Sequence, residues 1–117
     1  MQLYEMVFAL RPTVDEAGVK AIKGEIEAFI TQNEGKVENI TDIGKKKLAY
    51  EVEKEEEGYF VRVFFRINPE VVKQLEGKMR AKNEVIRLMI MKRKQVLPLE
   101  KTKQQEEERS KSHVSSQ

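Results

Sequence analysis

The segment from residue 59 to residue 67 constrains the fold most, because two kinds of side chain alternate along it without a break. One set of alternate positions is apolar or aromatic: Tyr59, Val61, Val63, Phe65 and Ile67. The other set mixes aromatic and basic side chains: Phe60, Arg62, Phe64 and Arg66. Successive side chains of a strand point to opposite faces, so the pattern predicts a strand with one face on a core and one mixed face.

Three more strands are predicted around this one. Residues 3–10 place Tyr4, Met6, Phe8 and Leu10 on one face, and residues 36–54 form a long strand with a bend or bulge near Gly44. Residues 53–58 are predicted to be a polar turn, with Glu55, Glu56 and Glu57 at a solvated hairpin tip. The last strand, residues 85–93, places Ile86, Leu88 and Ile90 on the core face and Arg87, Met89 and Met91 on the other.

Two helices are predicted between the strands. The first begins at Thr13 or Asp15, either of which can cap it, and ends near Gly35, which can take the left-handed conformation. The second opens with Asn68, Pro69 and Glu70, an N-cap, a proline and an acid in the first turn.

The order β-α-β-β-α-β predicts an α+β, ferredoxin-like fold, in which a four-stranded antiparallel sheet carries both helices on one face. The other side of the sheet, called the open face below, is left without helices. Residues 1–95 are expected to form this domain. Residues 96–117 are nearly all polar or charged after a short apolar start, so a flexible tail is expected there.

Residues that could carry out catalysis are nearly absent. Cysteine is missing, and the single histidine, His113, lies with all four serines in the predicted tail, so no catalytic set, metal site or cofactor is expected. An acylphosphatase-like enzyme shares the topology, and Arg11 follows the first strand, but the glycines of a phosphate loop are missing there. The amino terminus lacks signal-peptide features and no apolar run could span a bilayer, so a soluble cytoplasmic protein is expected.

Basic residues are clustered although the formal net charge is only +2. The clusters are Lys45, Lys46, Lys47 and Lys92, Arg93, Lys94. Lysines on an edge strand often serve only to prevent sheet-to-sheet pairing. Together with Arg62, Arg66 and Arg87 on the open face, however, the clusters favour an anionic partner such as nucleic acid.

The open face also carries exposed apolar side chains in the predicted monomer: Val7, Phe60, Phe64, Met89 and Met91. Such patches usually mark binding surfaces. Base stacking, as in the RNA-recognition motif, fits poorly because Val61 replaces an aromatic residue and Phe60 replaces a small one. A protein partner is the better prediction, with an interface formed by Phe60, Arg62, Phe64, Met89 and Met91.

Several segments resemble the bacterial small-ribosomal-subunit protein six family. They are Tyr4-Glu5 with Arg11-Pro12, the run from Gly44 to Val52 containing Leu48-Ala49-Tyr50, Gly58-Tyr59-Phe60, and Asn83-Glu84-Val85-Ile86-Arg87. Lys47 and Val52 depart from the family's commoner arginine and isoleucine. The resemblance covers roughly residues 2–95.

The resemblance implies a structural, ribosome-associated protein that binds central-domain ribosomal RNA cooperatively with small-subunit protein eighteen, without a small-molecule substrate or membrane. Arg87 and Lys92 match basic positions expected to contact RNA, while Phe60 and Arg62 lie on the surface expected to approach the partner. Arg93, Lys94 and the Lys45, Lys46, Lys47 cluster are added to the RNA set from their charge. The alternative is a regulatory or oligomerisation module of the same fold that self-associates through its open face.

Overall fold

A computed structural model describes residues 1–52 and 55–96, with the backbone alone for residues 49–52. Its elements are β1 (Gln2–Leu10), α1 (Glu16–Gln32), β2 (Lys36–Val52), β3 (Glu55–Ile67), α2 (Pro69–Arg80) and β4 (Val85–Arg93). The strands form one antiparallel sheet in the order β2-β3-β1-β4. The predicted ferredoxin-like fold class is confirmed. No helix within the described residues is long and apolar enough to cross a membrane.

The hydrophobic core lies between the sheet and the two helices. The central strands contribute the side chains that the alternation assigned to the core face, among them Met6, Phe8, Val63 and Phe65, and none of these is exposed. The helices contribute Val19, Ile22, Ile26, Ile30, Leu75 and Met79. Burial of each large apolar side chain stabilises the fold by about 1.5–3 kcal/mol, so this layer is what fixes the helices to one face of the sheet.

Helix α1 has a cap of a different kind at each end. The Asp15 carboxylate accepts a hydrogen bond from the Gly18 amide at 2.8 Å, so Asp15 rather than Thr13 is the N-cap. At the other end Glu34, not Gly35, takes the left-handed conformation with φ 65°, which corrects the prediction. The Gly35 amide donates to the Ile30 carbonyl at 2.8 Å and the Glu34 amide to the Thr31 carbonyl at 3.0 Å, the pattern of a Schellman cap.

Gly35 is needed for a different reason from the predicted one. A Cβ atom there would lie 2.6 Å from the Arg66 carbonyl oxygen and 2.8 Å from Cγ2 of Ile30. The glycine therefore allows close contact between the end of α1 and β3. The left-handed backbone expected at a glycine occurs instead at Gly44, with φ 100°, at a bulge of β2 where the sequence predicted a bend.

Strand β3 begins earlier than predicted. Residues 55–58 belong to the strand, with Glu57 opposite Lys47 and Glu55 opposite Val52, so the predicted polar turn and hairpin tip are wrong for these residues. Residues 53 and 54 of that turn lie outside the described residues. The opposite charges of Glu57 and Lys47 favour this pairing although glutamate has a low strand propensity.

A bulge near the start of β4 reverses the predicted orientation of one side chain. Ala9 pairs with Arg87 and Leu10 with Val85, which leaves Ile86 without its own partner on β1. Ile86 is buried outside the core cluster. Its Cδ1 lies 3.6 Å from where a Cβ atom on Gly58 would be, on the open face. Leu88 and Ile90 keep their predicted core orientation, while Val85 takes the place expected for Ile86 because the extra residue shifts the alternation.

Candidate RNA-binding and partner-binding surfaces

The register of the three strands β3, β1 and β4 arranges the open face in rows. The rows are Phe60–Ala9–Arg87, Arg62–Val7–Met89, Phe64–Glu5–Met91 and Arg66–Leu3–Arg93. The five side chains predicted to bind a protein partner therefore do lie on one surface, on the two strands flanking β1. Arg87 and Arg93, predicted to bind RNA, share this surface.

The centre of the open face is not exposed in the way the sequence predicted. Phe64 has no exposed surface and Arg62 only 3%. Part of the cover over Phe64 is the Arg62 side chain itself, whose guanidinium carbon lies 5.5 Å from the ring centroid. Met89, by contrast, is 48% exposed, while Phe60 and Met91 are half-buried. The apolar surface available to a partner is consequently smaller and lies mainly along β4.

Glu5 forms a charged cluster with two arginines beneath this surface. Its Oε1 accepts a hydrogen bond from Nε of Arg93 at 2.7 Å, and its Oε2 lies 3.5 Å from Nη1 of Arg62. Arg93 also donates to Sδ of Met91 at 3.3 Å. Nε of Arg62 is buried without a hydrogen-bond partner in the described part of the chain. The cluster crosses three strands, and the sequence alone gave no sign of it because its members are 5, 62 and 93 in the chain.

Arg87 differs from the other arginines of the open face. It is exposed, and its side chain makes no ion pair or hydrogen bond within residues 1–52 and 55–96. Arg66, in contrast, pairs with Glu38 at 3.0 Å, and Arg62 and Arg93 share Glu5. Arg87 is thus the open-face arginine whose charge is left for an outside partner.

The remaining predicted RNA-binding residues do not form one patch. Lys45, Lys46 and Lys47 lie on edge strand β2, level with the end of the sheet where Tyr59 pairs with Leu10. Lys92 pairs with Tyr4 and Arg93 with Leu3, on the opposite edge strand and near the opposite end of the sheet. Lys94 follows directly after β4.

The lysines of β2 are also divided between the two faces and lie beside acids. Lys45 stands opposite Tyr59 on the helix side, and Lys46 stands opposite Gly58 on the open side. Lys47 is opposite Glu57 in a strand segment that also contains Glu55 and Glu56. The neighbouring carboxylates lower the local positive potential, so this cluster is a weaker anion site than its three consecutive lysines indicate.

A polar network on the helix side was missed in the sequence. Asp42 accepts hydrogen bonds from Nζ of Lys23 at 2.8 Å and from the Tyr59 hydroxyl at 2.7 Å, which joins α1, β2 and β3. Burial acts to raise the pKa of Asp42, but these hydrogen bonds and the Lys23 charge outweigh it and leave the pKa below its usual value. The bond to Asp42, with some burial, raises the pKa of Tyr59 to about 12. A hollow of about 550 Å³ beside this network is lined by Lys20, Lys23 and Lys45, but also by Glu16 and Asp42.

No group of three or more histidine, aspartate or glutamate side chains within the described residues could hold a metal ion. The surfaces that stand out are instead edge strand β4, with the unpaired Arg87 and the exposed Met89, and the charged clusters around Glu5 and Asp42. Such a set of features is typical of a protein that binds macromolecules rather than small molecules.

Comparison with known proteins agrees with this class. A family model described as Ribosomal protein S6 matches residues 3–92. Small ribosomal subunit protein bS6 of Clostridium botulinum is 43% identical over 91 residues, covering 78% of this chain and 97% of the relative. The protein of the same description from Clostridium perfringens is 38% identical over 95 residues, covering 81% of this chain and all of the relative. The crystal structure of 30S ribosomal protein S6 from Thermotoga maritima superposes with a TM-score of 0.74 at 27% identity, covering 91% of this chain and 97% of that one.

The chain therefore belongs to the ribosomal protein S6 family of the small ribosomal subunit. That is a family of ribosomal structural proteins and not a class of enzymes.

Proposed function

We propose that this chain binds central-domain ribosomal RNA of the small subunit cooperatively with small-subunit protein eighteen. Family membership supports its place in the ribosome, and hence in the cytoplasm. The observation that carries the finer proposal is the pairing of a free cation with an exposed apolar side chain on one edge strand. Arg87 has no acidic partner in the described residues, and Met89 next to it on the same face is 48% exposed.

RNA contacts are proposed first at Arg87. An exposed, uncompensated guanidinium can bind a phosphate without first breaking an internal ion pair. Lys92 and Lys94 are exposed too and would offer further contacts. Lys92 lies five residues from Arg87 along β4, about 17 Å away, and Lys94 lies directly after the strand. Arg93 would have to exchange its bond with Glu5, and Lys45, Lys46 and Lys47 lie beside glutamates, so these four are expected to contribute less.

The partner protein is proposed to contact the open face along β4. Met89 is the exposed anchor, and Phe60 and Met91 contribute their accessible parts. Arg62 and Phe64 lie beneath this surface and would shape it rather than reach far across the interface. Two surfaces on one strand then explain cooperativity, since a partner held at Met89 adds its own contacts to an RNA held at Arg87.

The test is a gel shift on the central-domain RNA, with the chain alone and then with protein eighteen. Arg87→Glu is expected to weaken RNA binding by at least about tenfold, because a hydrogen bond to a charged group is worth about 1.5–3 kcal/mol. Lys73→Glu is the matched control, because Lys73 is an exposed cation on α2 away from the open face. Neither substitution should change thermal unfolding, since surface changes usually stay within about 0.5 kcal/mol.

Equal RNA binding by wild type and Arg87→Glu would remove Arg87 from the site. Absence of any shift, with or without protein eighteen at low salt, would contradict the RNA-binding proposal itself. A stable homodimer in light scattering, dissociated by Met89→Glu, would instead favour self-association through the open face.

A further inference from the structure

A small hollow lies between the end of α2 and the start of β4. Its walls are formed by Arg80, Val85, Ile86, Arg87 and Leu88, and polar atoms make up most of them. Its volume is about 130 Å³. Sites for drug-sized ligands measure roughly 300–1,000 Å³, so this hollow suits a single small group presented by a larger molecule.

The two arginines come to the hollow from elements that the fold holds rigidly. Arg80 is the last residue of α2, and Arg87 lies at the β-bulge opposite Ala9. The bulge leaves Arg87 on the open face, as the alternation predicted, and turns the preceding residue, the buried Ile86, to the same face. A cation at the helix end and a cation at the bulge therefore line the same hollow, although they are seven positions apart in the chain.

Arg80 has an internal partner, but a weakly bound one. Its Nε and Nη2 both lie 3.1 Å from Oε2 of Glu76, one helical turn earlier. The side chains are 58% and 41% exposed, and exposed pairs of this kind contribute at most about 1 kcal/mol. An incoming anion can therefore displace Glu76 at little cost.

We infer that this hollow is a phosphate-binding notch, in which Arg80 and Arg87 together hold one phosphate group of the RNA backbone. Glu76 occupies Arg80 while the notch is empty. The inference rests on the proposed RNA-binding function and adds to it a second arginine, a competing acid and the chemical group that is bound. Two planar guanidinium groups offer several N–H donors to a phosphate, which positions the RNA without reading its bases.

The experiment measures RNA affinity of the full chain with protein eighteen at several salt concentrations. The variants are Arg80→Gln, Arg87→Gln, their combination and Glu76→Gln, and the control is Lys73→Gln. Lys73 lies two turns before Arg80 on the same side of α2 and does not line the hollow. It therefore reports the effect of losing one charge from that helix surface.

Arg80→Gln is expected to weaken binding by about tenfold but to lower the salt slope by less than one, because Arg87 still contacts the phosphate. The double variant should lose about one in slope, because the single phosphate that both arginines hold is then released. Glu76→Gln should tighten binding by up to about fivefold, because it frees Arg80 from its internal pair. Lys73→Gln should leave affinity and slope close to wild type.

Three outcomes would overturn the notch alone, and a fourth would overturn it together with the proposed function. Arg80→Gln could behave like the Lys73 control while Arg87→Gln weakens binding, in which case the proposed function stands without the notch. The double variant could lose about two in slope, which would mean two separate phosphates. Arg80→Gln could weaken protein eighteen binding in the absence of RNA, which would make the bound group an acidic side chain. Failure of the wild-type chain to bind RNA at all would overturn the notch together with the proposed function.

Discussion

Glu5→Gln removes a buried charge while keeping the shape of the side chain. Side-chain exposure is 6% for Glu5 and 3% for Arg62, whereas Arg93 is 35% exposed. After the substitution Arg93 can turn towards water, but the Arg62 guanidinium stays buried without a counter-charge. Its Nε already lacks a hydrogen-bond partner within the described residues, so no existing bond compensates the loss.

The expected cost follows from the 3.5 Å separation of Arg62 Nη1 and Glu5 Oε2. At an effective dielectric constant of about 20, a pair of unit charges at this range attracts by about 5 kcal/mol. Removal of one partner from a buried ion pair has a measured cost of about 3–5 kcal/mol. Glu5→Gln should therefore lower the free energy of unfolding by about 3–5 kcal/mol, which is measured by urea denaturation.

Two further variants separate the charge effect from general damage to β1. Glu38→Gln breaks the Arg66–Glu38 pair, which has a 3.0 Å contact but is 42% and 24% exposed, so it should cost at most about 1 kcal/mol. Glu5→Leu combined with Arg62→Met should be close to neutral or stabilising, because it replaces both buried charges with apolar groups. If Glu5→Gln costs no more than Glu38→Gln, the burial of the Glu5–Arg62 pair does not matter energetically and this reasoning is refuted.

Two other predictions concern stability. The pKa of the Tyr59 phenol is 10.0 in the unfolded chain and about 12 in the folded protein. The hydrogen bond from Tyr59 to Asp42 therefore stabilises the fold fully below pH 10, and this stabilisation is lost as the pH rises from 10 to about 12. The free energy of unfolding, measured in urea, should therefore fall more between about pH 9 and about pH 11 for wild type than for Tyr59→Phe. Equal falls for the two proteins would contradict the assignment. Gly35→Ala should lower the free energy of unfolding, measured by thermal denaturation, by about 1–3 kcal/mol, because the alanine Cβ would lie 2.6 Å from the Arg66 carbonyl oxygen. Gly24→Ala is its control, since nothing lies within 4 Å of that Cβ, and it should be neutral or stabilising.

The fold was predictable because its main signal is local. Alternation in β1 and β3 and the apolar stripes of both helices identify the core face without knowledge of strand order. The errors occur where a tertiary contact overrides the local pattern. The β4 bulge turns Ile86 to the open face. Gly35 is needed where β3 packs closely against the end of α1, and Glu34 takes the left-handed conformation that was expected of Gly35.

The candidate surfaces were less predictable because they depend on strand order. The sequence placed Phe64 and Arg62 on the correct face of β3 but could not show that Glu5 of β1 and Arg93 of β4 would lie beside them. It likewise could not show that two clusters of consecutive cations would lie on opposite edges of the sheet. Burial and separation of this kind are properties of the assembled sheet, and no single segment contains them.

Under the proposed function, the availability of a cation, more than the number of cations, would determine where this protein binds RNA. Arg62, Arg66 and Arg93 are all on the open face, yet each is paired with a carboxylate, so an incoming phosphate would have to replace an existing interaction. Arg87 needs no such exchange, and Arg80 needs only the loss of a weak exposed pair. The low net charge of +2 is then no argument against RNA binding, because several of the acids that contribute to it, among them Glu5, Glu38 and Glu76, are paired with arginines. Arg87 lies on β4, the strand that also exposes Met89, and this is why both proposed partners are assigned to the same edge of the sheet.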